Sequence, residues 1–225
     1  MFKIEDVNLV YDIGKEVQTY ALRNIDLTLP DNGMLGIMGP SGSGKSSLLY
    51  VMAGLKLPTS GKVIYNNFHY SNLSPKQASD LRLREFGFIF QRHFLIDYMT
   101  VLENVLTPIN SDSREAKAKA VELLEKLKIG HLVNKRPFQL SGGQRQRVAI
   151  ARSLINDPKV ILADELTAAL DHESAKEVME FLNEFKRETL IIVVTHDPSI
   201  LEKADDIINI RDGIITGIES LRGVI

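Results

Sequence analysis

Apolar and polar residues alternate along the opening of the chain. Over residues 2–10, FKIEDVNLV, and again over 18–29, QTYALRNIDLTL, apolar positions recur at the short spacing of half-buried strands, and together they predict a sheet at the entrance of the fold. MLGIM (34–38) is different: an unbroken apolar run, read as a buried strand. It leads through GPSGSGKSS into SLLYVMAGL, an apolar helix ending near LPTSG. Residues 74–84 read as a helix and FGFIF (86–90) as a second buried strand. From about 92 to 157 the pattern becomes helical. SREAKAKAVELLEKLKIG (113–130) is amphipathic, with Leu123, Leu124 and Leu127 on one face and Gly130 as the expected stop. Strand–helix alternation then resumes: VILADE (160–165), a helix over 172–187, LIIVVTH (190–196), a short helix, DIINI (206–210) and GIITG (213–217).

That alternation predicts an α/β sheet with right-handed crossovers, interrupted by a helical insertion. One domain over 1–225 is expected, with 1–91 and 158–225 as its core and about 92–157 as the insertion. At 225 residues the chain can bury a proper core.

Composition narrows the partners. The chain is 44% apolar and 25% charged, with a net charge of −2, which gives no reason to expect a nucleic-acid surface. It has no cysteine, so disulfides and thiolate metal sites are excluded. No signal-peptide core opens the chain, and LIIVV (190–194) is far shorter than the roughly 20 residues that cross a bilayer. Any work at a membrane therefore falls to a partner.

The chemistry concentrates at strand ends. GPSGSGKS, Gly39, Pro40, Ser41, Gly42, Ser43, Gly44, Lys45 and Ser46, fits the phosphate-loop spacing G-x-x-x-x-G-K-[ST], with strand before it and helix after. Backbone amides freed by the glycines surround a β-phosphate, Lys45 brings a point charge, and the Ser46 hydroxyl suits Mg²⁺. In VILADE the apolar strand delivers Asp164 to its C-terminal end to hold the Mg²⁺ shell, and Glu165, ionised at pH 7, can orient or deprotonate a water. Gln91 and His196 also follow strand ends, where open α/β sheets gather ligand chemistry; either also suits a structural role. Tyr11 can stack an adenine or belong to the core. In QLSGGQRQRVAIARSL (139–154), Ser141 caps a helix whose dipole points at an anion, and Gly142 and Gly143 permit close approach. A second helix start is thus prepared for an anion; the residues themselves do not say whose phosphate it meets.

Taken in order, the phosphate loop, Gln91, LSGGQ (140–144), ILADE (161–165), ALD (169–171) and His196 resemble the ATP-binding cassette (ABC) ATPases over nearly the whole chain. GPSGSGKSSLL, FGFIFQRHFLIDYMTVLENV and QLSGGQRQRVAIARSL look most like the branch serving lipoprotein release, macrolide export and antimicrobial-peptide resistance. The resemblance implies the P-loop NTPase fold of ABC ATPases: a mixed β core, an antiparallel β subdomain and an inserted helical subdomain. It implies ATP and Mg²⁺ as ligands and head-to-tail homodimers, with Ser141, Gly142, Gly143 and Gln144 closing on the γ-phosphate of the partner's ATP. Tyr11 would stack the adenine, Gln91 touch the metal and attacking water, and Glu165 be the general base. His196 would hold the γ-phosphate, and Asp171 couple the two sites. Residues 92–105 would receive a helix of an integral membrane permease, holding the subunit at the inner face of the cell membrane.

Three departures from the family stand out: Leu166 where proline is usual with Ala168 in place of glycine, Ser47 where threonine is common, and Asp97 where the related branch often has proline. The function implied is an ATP-hydrolysing subunit powering export or extraction through dimer closure. A regulatory ATPase driving a membrane partner that moves no cargo but acts on a periplasmic or wall enzyme is the alternative. A DNA-repair or chromosome-handling ATPase would need a long coiled coil or a basic groove, and neither is present.

Overall fold

The computed structural model describes residues 1–12, 14, 18–109 and 111–221; residues 222–225, at the end of the expected domain, lie outside it. In chain order the elements are β1 (Phe2–Tyr11), β2 (Thr19–Leu29), β3 (Gly33–Met38), α1 (Lys45–Met52), β4 (Ser60–Tyr65), β5 (Phe68–His69), α2 (Pro75–Glu85) and β6 (Phe86–Ile89). They continue with α3 (Val101–Leu106), α4 (Arg114–Lys126), α5 (Gly142–Leu154), β7 (Val160–Asp164), α6 (His172–Asn183), β8 (Leu190–Val194), β9 (Asp206–Arg211) and β10 (Ile214–Ser220).

The unbroken apolar runs build the central sheet, of order β10-β9-β3-β8-β7-β6. It is parallel from β9 to β6, and β10 is antiparallel to β9. Its strands are apolar throughout because both faces are covered. On β7, Val160 and Leu162 face one core cluster while Ile161 and Ala163 face the other. On β8, Leu190, Ile192 and Val194 share the first face and Ile191 and Val193 the second. One cluster is closed by α3 to α6, the other by α1 and the strands of a second sheet, antiparallel, in the order β2-β1-β4-β5. Each buried aliphatic contributes roughly 1.5–3 kcal/mol. The mixed α/β fold with an antiparallel sheet and inserted helices is the one expected.

Four details depart from the pattern along the chain. β4 was not anticipated: GKVIY follows the turn after α1 and pairs with β1, completing the antiparallel sheet. The alternation in β1 shifts from Phe2 and Ile4 to Val7 and Leu9, because Asp6 adopts a left-handed conformation (φ 46°) in a bulge. The helix expected over 113–130 ends at Lys126, and the left-handed residue is Lys128 (φ 61°), not Gly130. The amide of Lys128 donates to the Glu125 carbonyl and that of Ile129 to the Leu124 carbonyl, a Schellman closure in which buried Ile129 and Leu124 supply the apolar contact. The helix expected over 172–187 stops at Asn183; beyond it the amides of Glu184, Phe185 and Lys186 reach only three residues back, to the carbonyls of Phe181, Leu182 and Asn183.

α5 packs on β6, α3 and α4, whereas α1 packs on β2, β7 and β8. The two helix starts read as anion-ready therefore belong to different parts of the fold. The approach of α5 to β6 runs through Gly87: a methyl group there would lie 2.3 Å from the backbone carbonyl oxygen of Ser153. Backbone cannot swing aside as a side chain can, so Gly87→Ala is expected to cost about 2–3 kcal/mol. Chemical denaturation checks this; a stability loss below about 0.5 kcal/mol contradicts it.

Candidate functional site

Strand register gathers the site at one edge of the central sheet. Ile37 pairs with Val194, Asp164 with Val194 and Ile89 with Ala163. The exits of β3, β8, β7 and β6 thus lie side by side, delivering Gly39, His196, Glu165 and Gln91 to the same rim. Gln91 is exposed there.

The loop 39–46 is fastened from behind. The Ser43 amide donates to the Pro40 carbonyl at 3.2 Å, and the Gly213 amide, from the turn between β9 and β10, donates to the Ser43 carbonyl at 2.9 Å. Gly44, the N-cap of α1, has φ 103°, and a Cβ there would sit 2.3 Å from the Ala21 carbonyl oxygen, so only glycine fits. Lys45 is buried, and its ammonium donates to the carbonyls of Gly39 (2.9 Å) and Pro40 (2.8 Å). Ser41 and Gly42 are exposed, while Ser43 Oγ is buried without a hydrogen-bond partner among the described residues. Tyr11 lies beside the loop: its hydroxyl is 3.4 Å from Ser47 Oγ, and the Lys56 ammonium sits 5.1 Å from its ring centroid.

Asp164 is 3% exposed. Ser46 Oγ donates to its Oδ1 at 2.9 Å and the Tyr50 hydroxyl to its Oδ2 at 3.1 Å. Burial raises the pKa of this carboxyl above the usual carboxylate range, and the two hydroxyl donors work against that rise. The same burial, with the neighbouring Asp164 charge, pushes the Tyr50 phenol up to about 12, so it remains a donor at neutral pH. Tyr50 went unnoticed in the sequence; its one signal was the four-residue spacing from Ser46, which puts both hydroxyls on one helix face.

Glu165 turns left-handed (φ 50°) while its amide still donates to the Val194 carbonyl at 3.0 Å. Its carboxylate oxygens lie 3.0 and 3.1 Å from His196 Nδ1. A carboxylate can only accept, so this contact selects the proton on Nδ1. The residue after Glu165 is the anchor: Leu166 is fully buried in the core cluster behind the sheet. Ala168 is exposed, and its amide closes the turn on the Glu165 carbonyl at 3.1 Å.

The second helix start is arranged differently. Ser141 Oγ accepts from the Gln144 amide at 3.2 Å, and Gln144 Oε1 accepts from the Ser141 amide at 2.9 Å, a capping box that occupies both side chains locally. A Cβ on Gly143 would meet Leu170 Cδ2 at 3.1 Å, but one on Gly142 would meet nothing closer than Ala169 Cβ at 3.8 Å. The LSGGQ turn, the signature of this chain, thus rests on the segment after Glu165. Asp171 ends that segment and caps α6, accepting from the Ser174 amide and hydroxyl, both at 2.9 Å. Those bonds hold its carboxyl below the usual range. Farther out, Arg152 of α5 donates to the carbonyls of His93 (2.6 Å) and Phe94 (2.7 Å), tying the stretch after Gln91 to the signature helix.

Known proteins match this chain over nearly its whole length. The ABC transporter family model matches residues 22–168. An uncharacterised ABC transporter ATP-binding protein of Thermotoga maritima is 41% identical, over 100% of this chain and 97% of its own length. The lipoprotein-releasing system ATP-binding protein LolD 1 of Rhodopseudomonas palustris is 39% identical, over 96% and 99%. The dimeric post-hydrolysis structure of the ATP-binding cassette MJ0796 bound to ADP and Pi superposes with a TM-score of 0.93 at 38% identity, covering 99% of this chain and 100% of that one. MJ0796 comes from Methanocaldococcus jannaschii.

Two glycines of this site separate by what their own chain demands. Gly44→Ala is expected to lose at least about 2 kcal/mol of stability, from a forced left-handed alanine and a backbone clash. Gly142→Ala, at an open helical position, is expected to be neutral or to gain up to about 1 kcal/mol. Thermal unfolding of both variants checks the contrast; equal losses contradict it.

Proposed function

The chain belongs to the ABC transporter family as a nucleotide-binding, ATP-hydrolysing subunit, and from that premise we propose what its residues do and what the hydrolysis drives. Two copies pair head to tail around ATP. The phosphate loop 39–46 with Ser47 and Tyr11 of one copy faces Ser141, Gly142, Gly143 and Gln144 of the other. The observation that carries this reading is Gly142. Among the described residues of its own chain nothing requires a glycine there, and the position is exposed at a helix start suited to an anion. A requirement unmet inside the chain points outside it. The dimeric structure of MJ0796 bound to ADP and Pi supports pairing of two copies.

Within each site Lys45 leaves its two carbonyls for the phosphates, and Tyr11 stacks the adenine. Mg²⁺ fits the donors present. Ser46 and Asp164 offer hard oxygens beside each other, Gln91 reaches the same rim, and no group of three or more His, Asp or Glu stands among the described residues. Few protein ligands suit a cation that arrives on nucleotide phosphates. When bound there, the cation would supply positive charge against the nucleotide phosphates. Glu165 activates the attacking water. In the structure it shares its carboxylate with His196, so capture of His196 by the γ-phosphate frees Glu165 for that water. Asp171, fixed at the head of α6, carries the state of one site to the signature turn beside it.

The work is delivered to a membrane permease. In this reading 1–91 and 158–225 form the nucleotide core and 92–157 the moving arm. A groove of about 310 Å³ opens between them, lined by Leu83, Phe86, Phe88, Phe90, Pro108 and Arg152. Beside it the segment 92–105 exposes Phe94 and Tyr98. A permease helix seated here pulls on both parts at once, and dimer closure moves it, as export or extraction requires. No helix of the described residues is long and apolar enough to cross a membrane, so contact with the inner face of the cell membrane runs through that permease.

Glu165→Gln is expected to retain ATP, lose hydrolysis by a factor of about 100 or more, and accumulate dimers, because ligand held at the interface stabilises the closed state. Light scattering with ATP reads this. Monomers alone, with hydrolysis near the wild-type rate, would remove Glu165 from its role.

Sharing of the site is read separately. Lys45→Ala is expected to abolish nucleotide binding, and Gly142→Asp to leave the monomer's affinity within about twofold while blocking closure by charge repulsion. Crosslinked mixed dimers of these two inactive variants contain one intact site and should regain hydrolysis. If Gly142→Asp empties the isolated monomer as Lys45→Ala does, the signature serves its own chain.

A further inference from the structure

Asp164 is held by two hydroxyls that lie one helical turn apart on α1. Ser46 takes Oδ1 and Tyr50 takes Oδ2, so the carboxylate is fixed at both oxygens. The two donors are unequal. Ser46 follows the phosphate-loop lysine, and its oxygen is itself a candidate cation ligand. Tyr50 lies a turn beyond the phosphate loop, and its ring packs at 5.9 Å against Phe88 of β6. Phe88 stacks on Phe90 at 4.0 Å, and Phe90 meets Phe94 edge-on at 5.2 Å. The Tyr50 hydroxyl is therefore placed by β6 as well as by its own helix.

We propose that Tyr50 is a positioning residue for Asp164, its hydroxyl orienting the buried carboxylate so that Asp164 and Ser46 present a preformed pair of oxygens to the nucleotide-bound cation. The proposal rests on the reading that Asp164 serves Mg²⁺. An outer partner of this kind is typically worth 10–100-fold in metal affinity, because without it the ligand must be oriented at the moment of binding. The effect belongs to the cation and not to the nucleotide, since Tyr50 is not part of the loop that surrounds the phosphates.

The test titrates Mg²⁺ into protein with fluorescent ADP and compares the wild type, Tyr50→Phe, Asp164→Asn and the double variant. Tyr50→Phe keeps the ring and its contact with Phe88, and thermal unfolding verifies the fold. Nucleotide affinity in excess EDTA is expected to be unchanged in Tyr50→Phe, while the Mg²⁺ midpoint rises about tenfold. Asp164→Asn should raise the midpoint at least as far, and the double variant should match Asp164→Asn alone, because the hydroxyl acts through that carboxylate. A wild-type midpoint in Tyr50→Phe, with Asp164→Asn shifted, overturns the proposal and leaves the cation reading intact. A further shift when Tyr50→Phe is added to Asp164→Asn also overturns it. An unshifted Asp164→Asn instead removes the cation reading on which the proposal stands.

Discussion

A carboxylate with 3% exposure at the end of a fully apolar strand is the constraint on which the site depends. Placing Asp164 there costs free energy unless its oxygens are satisfied. The fold answers with two hydroxyls from one helix, at 2.9 and 3.1 Å, and with the buried ammonium of Lys45 close by. Each partner is held in turn. Gly44 lets α1 begin against the Ala21 carbonyl, Gly213 holds the loop through Ser43, and Phe88 backs the Tyr50 ring. The charge at Asp164 thus orders the loop, the helix and the neighbouring strand together. Compensation by neutral hydroxyls stops short of a full ion pair. A partly compensated buried acid retains affinity for a cation in a way that a salt-bridged one does not.

The double burial of the central sheet explains where chemistry can occur. Strands apolar on both faces leave no polar residue room inside, so the functional side chains that the central sheet itself supplies are displaced to its strand ends. Parallel strands bring those ends to one rim, which is why Gly39, Gln91, Glu165 and His196 arrive together from four distant stretches of sequence. The rim is then a place where a change at one strand end is felt at the next. The contact between Glu165 and His196 is one instance, and the line of aromatic rings from Tyr50 to Phe94 is another.

Much of this was legible in the residues. Unbroken apolar runs marked β3, β6, β7 and β8, and the glycine spacing of 39–46 marked the phosphate loop, because each signal is local. What escaped depends on contacts between distant parts. β4 is a short strand with three exposed residues at its start, recognisable only by its pairing with β1. The end of α4 is set by a lysine in a conformation usually left to glycine, held there by the Leu124 and Ile129 contact and by the ion pair of Lys128 with Glu177 at 2.6 Å. Tyr50 looked like one more apolar residue of an apolar helix until Asp164, 114 positions away, was placed against it.

Leu166 shows how a departure in sequence can keep a geometry. The turn carrying Glu165 has to hold that residue left-handed, a conformation that costs a non-glycine residue roughly 1–2 kcal/mol. Where the family usually stiffens the following position with proline, this chain buries a leucine completely, and burial of that kind returns about 1.5–3 kcal/mol. The two quantities are comparable. Packing can therefore hold the turn that ring closure holds elsewhere, with one difference in consequence. A proline restrains the backbone regardless of its surroundings, whereas a buried leucine does so only while the core around it is closed. That core includes Val148, Ile150 and Ala151 of the signature helix α5. In this chain, then, the position of Glu165 is tied to the packing of the helix that the proposed dimer presents to its partner. Movement of that helix and readiness for hydrolysis share one apolar contact surface.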